Sequence, residues 1–138
     1  MNIRELLLTT RRIALVGASN KPERASYRVL RFLLERGYAV TPINPGLAGQ
    51  DILGQRVVAS LAEAAPLDLV DVFRRSGEAG AVMDEAAALG ARAVWLQLDI
   101  VDEAAAARAR AGGVTVVMDR CPAIEWGPAG LPDRISQT

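Results

Sequence analysis

Short apolar runs separated by amphipathic stretches set the pattern of this chain. Arg12-Ile13-Ala14-Leu15-Val16-Gly17 is apolar at consecutive positions and stops at a glycine, which predicts a buried strand. Tyr38 to Ile43, Leu69 to Phe73, Ala93 to Gln97 and Val114 to Met118 repeat the pattern. Unbroken apolar runs of this kind belong to strands covered on both faces. The stretches between them follow a helical period. Ala25 to Arg36 places Tyr27, Leu30, Leu33 and Leu34 on one stripe and ends at Gly37. Gly77 to Leu89 closes at Gly90, and Asp102 to Ala111 closes at Gly112-Gly113. Another short helix is expected over Ile3 to Leu8, capped by Asn2 with Glu5 as the reciprocal partner. The segment between the second and third strands departs from this alternation. Asn44-Pro45-Gly46 is a strong turn signal, a short extended piece is expected over 56–58, and Ser60 caps a helical turn through Ala64.

Strands joined by helices run parallel, with right-handed crossovers. The prediction is therefore an α/β, Rossmann-like, doubly wound sheet of five parallel strands, in the order 3-2-1-4-5. Residues 1–126 form the domain, and 127–138, rich in Pro and Gly, form a C-terminal tail expected to be loosely held. In such sheets ligands bind beyond the carboxyl ends of the strands, where the strand order reverses. The predicted order puts that point between strands one and four.

Composition narrows the chemistry. A chain of 138 residues, 51% hydrophobic, buries a core without metal or disulfide staples. Basic and acidic residues number 16 each, which points to neither a nucleic-acid nor a membrane partner. The apolar run near Met1 is too short for a signal peptide, no window is long enough to span a membrane, and one cysteine forms no internal disulfide. These features favour the cytoplasm. There is no histidine, which excludes a Ser-His-Asp triad, a phosphohistidine and His-ligated metal. Lys21 is the single lysine among the basic residues.

That lysine lies in the loop after the first strand, Gly17-Ala18-Ser19-Asn20-Lys21. A glycine without Cβ, the Ser19 hydroxyl, Lys21 and Arg24, and the helix start near Ser26 together make a pyrophosphate site. The plainer alternative is an ordinary turn in which Gly17 serves only its backbone angles. The dinucleotide pattern G-x-G-x-x-G is absent, because Ser19 and Pro22 hold its later glycine positions. The second strand ends in Asn44-Pro45 rather than in a ribose-binding acid. Both departures argue against NAD. Asn44 either bonds a ribose or adenine, or only starts the turn. Arg74-Arg75 suit an additional phosphate, the 3′-phosphate of coenzyme A or the 2′-phosphate of NADP, or are a solvated pair. Asp71 either orients one of these arginines or is structural. Trp95 is expected in the core, with Gln97 on the same side reaching the ligand. Asp99, Asp102, Asp119 and Cys121 are the reactive types near the strand ends, and they form no catalytic constellation. No catalytic residue is assigned.

Taken together, Ile13 to Pro22 with Ser26 to Val29, Pro42 to Pro45, Ile52-Leu53-Gly54, Asp68 to Arg75, Ala93 to Gln97 and Val117 to Cys121 resemble the small stand-alone coenzyme-A-binding proteins. That family is related to the nucleotide-binding domain of the succinyl-CoA synthetase α subunit. The resemblance implies coenzyme A in the switch-point cleft, pyrophosphate on the first loop and adenosine near the end of the second strand. Synthetase activity does not transfer, since the phosphorylated histidine and the second domain are missing. The implied role is a carrier, sensor or regulatory module for coenzyme A or an acyl-CoA. The alternatives are an NADP-linked oxidoreductase, a CoA-dependent acyl-transfer enzyme, and a scaffold without ligand. Cys121 is then either inert packing or a thiol that meets the pantetheine thiol in a mixed disulfide.

Overall fold

The computed structural model describes residues 1–136. Helix α1 (Ile3–Thr9) leads into β1 (Arg12–Val16), α2 (Ala25–Glu35) and β2 (Ala39–Ile43). A 3-10 turn and a two-stranded hairpin of β3 (Asp51–Ile52) and β4 (Gln55–Arg56) follow, then another 3-10 turn. The chain continues through β5 (Leu69–Val72), α3 (Ser76–Ala88), β6 (Ala93–Leu96), α4 (Glu103–Ala111), β7 (Thr115–Val117) and α5 (Pro122–Glu125). Asn2 caps α1 as predicted, its Oδ1 accepting from the Glu5 amide at 2.8 Å.

The five long strands form one all-parallel sheet, and its order corrects the prediction. It runs β2-β1-β5-β6-β7, so the third long strand lies against the first and not outside the second. Leu69 pairs with Ile13 and Val72 with Val16. The reason lies in the outer edge of β2. The Pro42 carbonyl accepts from the Val58 amide and the Asn44 amide donates to the Val58 carbonyl, so residues 57–58 already occupy that edge. Pro42 has no amide to offer a further strand, and proline within a sheet belongs at an edge. The order therefore reverses between β1 and β5, one strand nearer than expected.

The two faces carry separate cores. On one, Ile13, Leu15 and Trp95 pack beneath α1, α2 and Trp126. On the other, Val16, Val70 and Leu96 pack beneath α3 and α4. Right-handed crossovers produce this split, because the chain winds from β1 toward β2 first and from β5 toward β7 later. Helices α3 and α4 approach so closely that a Cβ on Gly80 would lie 2.3 Å from Asp102 Oδ2.

Residues 127–136 are docked, contrary to the expectation of a loose tail. Trp126 Nε1 donates to the Pro132 carbonyl at 2.8 Å, and the Ile135 amide donates to the Arg36 carbonyl at 2.7 Å. The Ile135 side chain is buried in the core, and Arg4 reaches the Gly130 carbonyl at 2.8 Å. Proline and glycine content marked the lack of regular structure here, but not the anchoring.

Candidate functional site

The loop after β1 turns sharply at Gly17, where φ is +90°. A Cβ there would lie 2.3 Å from the Phe73 carbonyl oxygen. The missing side chain thus makes room for the neighbouring strand end, rather than for a phosphate. The amides of Gly17 and Ala18 both donate to the Ile43 carbonyl at 3.1 Å. The ends of β1, β2 and β5 are therefore tied together at one point.

Beyond this knot the groups face a cavity of about 490 Å³, walled by Gly17 to Lys21, Arg24 to Ser26, Asn44 and Phe73. Ser19 Oγ accepts from the Lys21 amide at 3.1 Å, which leaves its hydroxyl proton free to donate outward. Helix α2 begins here with no side-chain cap and no acid in its first turn. An uncapped helix start presents amide donors and the positive end of a dipole. Lys21 and Arg24 are exposed beside it, and Ser26 is buried against it. This arrangement suits an anion carrying several phosphate oxygens.

Asn44 sits between the two loops. Its Nδ2 donates to the Ala18 carbonyl and its Oδ1 accepts from the Gly46 amide, both at 2.8 Å. Its side chain braces the phosphate-facing loop while it also lines the cavity, so the turn-building role is seen directly and one N–H and one lone pair remain for a ligand. Asn44→Ala is expected to cost about 1–2 kcal/mol, the loss of two partly buried hydrogen bonds. A urea melt measures it, and a change within 0.3 kcal/mol would mean that the loop is held elsewhere. Pro45 does not join this cavity. It lines a separate one of about 200 Å³ with Ser60 and Leu61.

A second cavity of about 910 Å³ opens on the far side of Ala25 and Phe73, which line both. Arg74, Arg75, Gln97 and Cys121 all reach it. Arg75 is exposed and paired with Glu78 at 2.7 Å, whereas Arg74 is half-buried and forms no salt bridge among the described residues. Cys121 is a buried, free cysteine. Trp95 is fully buried, as predicted, and its indole donates to the Arg120 carbonyl at 2.8 Å.

Gln97 Nε2 donates to Asp71 Oδ1 at 2.5 Å, so Asp71 orients the glutamine and not an arginine. Asp71 is completely buried, in register with Leu15 and Trp95 on the α2 face of the sheet. Its Oδ2 has no hydrogen-bond partner among the described residues. Burial pushes its carboxyl up to about 7, and the bond from Gln97 opposes the shift only in part.

Of the other acids, Asp102 and Asp119 have structural duties, while Asp99 lines the second cavity. Asp102 caps α4 through the Ala105 amide at 2.9 Å, and Asp119 Oδ1 accepts from the Asp99 amide at 2.7 Å. The described residues contain no group of three potential metal ligands. Sequence reading missed Phe73, Arg28 and Arg31 as cavity residues. The arginines sit three apart on the polar side of α2, a pattern that resembles any solvated face.

The family described as the CoA binding domain matches residues 11–127. The chain belongs to that family. It is 38% identical over 120 residues to the uncharacterized protein YneT of Bacillus subtilis, covering 86% of this chain and 87% of that one. The structure of cell-free ID.343 from Thermus thermophilus superposes with a TM-score of 0.87 at 35% identity, over 94% of this chain and 99% of that one. The dinucleotide forming acetyl-coenzyme A synthetase 1 of Ca. Korarchaeum cryptofilum, solved in complex with phosphate and ADP, superposes with a TM-score of 0.70 at 25% identity. There the match covers 84% of this chain but 27% of the larger enzyme. This CoA-binding domain family member thus superposes on one part of such a synthetase. Among the described residues no helix is long and apolar enough to cross a membrane.

Proposed function

We infer that this protein binds coenzyme A, as a carrier, sensor or regulatory module. The observation that carries the reading is that Ala25 and Phe73 line both a phosphate-suited cavity and a larger one beside it. Coenzyme A has the same division: an adenosine diphosphate with several anionic oxygens, then a long pantetheine arm. The resemblance of the domain to one part of an acetyl-coenzyme A synthetase supports coenzyme A as the ligand.

The diphosphate takes the α2 amides, the Ser19 hydroxyl, Lys21 and Arg24. The pantetheine arm passes Phe73 toward Gln97 and Cys121. Arg74, which lines the small cavity beside Pro45 as well as the second cavity and forms no salt bridge among the described residues, is assigned to the 3′-phosphate from the Pro45 side; Arg75 would have to leave Glu78 to assist. No side chain in either cavity forms a nucleophile-and-base pair, so the role assigned is binding without turnover.

Calorimetric titration tests this. Coenzyme A is expected to bind more tightly than dephospho-CoA, and both more tightly than NADP. Lys21→Ala is expected to weaken coenzyme A by about 1–2 kcal/mol, the range for a charge-assisted contact at a solvent-open site. Tighter binding of NADP than of coenzyme A would overturn the reading. An unchanged affinity in the variant would remove Lys21 from the site.

A further inference from the structure

We propose that the second cavity seats the apolar acyl chain of an acyl-CoA thioester, beyond the end of the pantetheine arm. The inference rests on the coenzyme A reading above and names the form of the cofactor that the protein selects.

The wall of this cavity offers more apolar surface than pantetheine can use. Val29 and Phe32 of α2, Phe73, Ile100, Leu98 and Ile124 line it. Pantetheine carries two amides and a hydroxyl, which require polar partners when they leave water. The cavity's charged and hydroxyl groups, among them Arg28, Arg31, Arg75, Ser76 and Asp99, lie at its exposed rim, and the one polar side chain buried within it, Gln97, has one Nε2 hydrogen committed to Asp71. Its outer lip is left open to water at two large apolar side chains, Leu98 at 49% exposure and Ile124 at 57%. They project from different elements, the loop after β6 and helix α5, yet both line the same space.

Position selects the occupant. Ala25 and Phe73 line both cavities, so a group in the second lies next to the phosphate-bearing group placed in the first. A volume of about 910 Å³ lies near the upper end of the range of roughly 300–1,000 Å³ for small-molecule sites. It therefore holds the arm together with a chain of several methylenes. An apolar chain also covers Leu98 and Ile124, which a polar arm does not.

The test is a calorimetric series on the full chain with coenzyme A and its acetyl, butyryl, hexanoyl and octanoyl thioesters. Affinity is expected to rise up to fourfold per added methylene, the gain from burying one methylene, before it levels off. Ile124→Asp, a substitution on an exposed side chain, is expected to flatten the rise while coenzyme A itself still binds within twofold of its original affinity. Equal affinity across the series, with coenzyme A bound, would overturn the acyl site and leave the coenzyme A reading standing. Binding of none of the five would overturn both. A rise that persists unchanged in Ile124→Asp would place the chain elsewhere and overturn the assignment to this cavity. A flat series together with self-association in sedimentation would give the apolar lip to a second copy of the protein.

Discussion

Gly17→Ala is expected to destabilise the protein by about 3–5 kcal/mol, enough to leave a marginal domain substantially unfolded at 37 °C. Two costs act together. Alanine is strained at the φ of +90° that the chain adopts here, by about 1–2 kcal/mol. Its methyl would also lie 2.3 Å from the Phe73 carbonyl oxygen, and a backbone atom cannot swing aside as a side chain does. Relieving the overlap forces β1 and β5 apart at the point where the Phe73 amide donates to the Val16 carbonyl at 2.8 Å, for about 2–3 kcal/mol more. Urea denaturation measures the total. The fraction that remains folded is expected to bind coenzyme A at least tenfold more weakly, because the wall shared by the two cavities moves. A midpoint shift of under 1 kcal/mol would show that the loop adopts another path.

The second large effect concerns pH. The gap in stability between Asp71→Asn and the original protein is expected to widen in favour of the variant by about 4 kcal/mol between pH 3 and pH 8. The sign follows from proton linkage. Asp71 titrates near 7 when folded and near 3.8 when unfolded, so the folded state binds the proton more tightly. Between those values the unfolded chain gives up its proton first, and stability falls as pH rises. Well below pH 3.8 both states are protonated and the contribution is fully retained. Above pH 7 both are ionised, and the loss is complete at about 1.4 kcal/mol per unit of difference. Asparagine keeps an acceptor for Gln97 Nε2 and cannot ionise. Subtracting the two melts removes the titration of every other group. Parallel profiles for the two proteins would show that Asp71 is solvated or otherwise partnered.

Both predictions concern residues whose chemistry was visible in the sequence and whose role was not. Gly17 was legible as a glycine that ends a strand before a charged loop. That its missing Cβ accommodates Phe73, more than fifty positions along the chain, depends on the pairing of β1 with β5. Asp71 was legible as an acid inside an apolar run. Its partner was open, because the neighbours along the chain are Arg74 and Arg75 while the neighbour across the sheet is Gln97. Arg74, Gln97 and Cys121 were each legible as strand-end residues, and strand ends converge in a parallel sheet whatever its order.

The sequence alone determined the alternation of strands and helices, the parallel α/β class and the cap of α1. Those properties are local: apolar periodicity, turn residues and capping act within a few positions. It also determined the family, through motifs distributed along residues 11–127. Only the tertiary structure decided the strand order, the docking of residues 127–136, the bracing by Asn44 and the burial of Asp71. Each of these is a competition among distant segments for the same edge, space or hydrogen-bonding group. The edge of β2 shows how narrow the margin is. Pro42 carried the signal that this strand lies outermost, yet the occupant of its edge, residues 57–58, became visible only once the chain was folded.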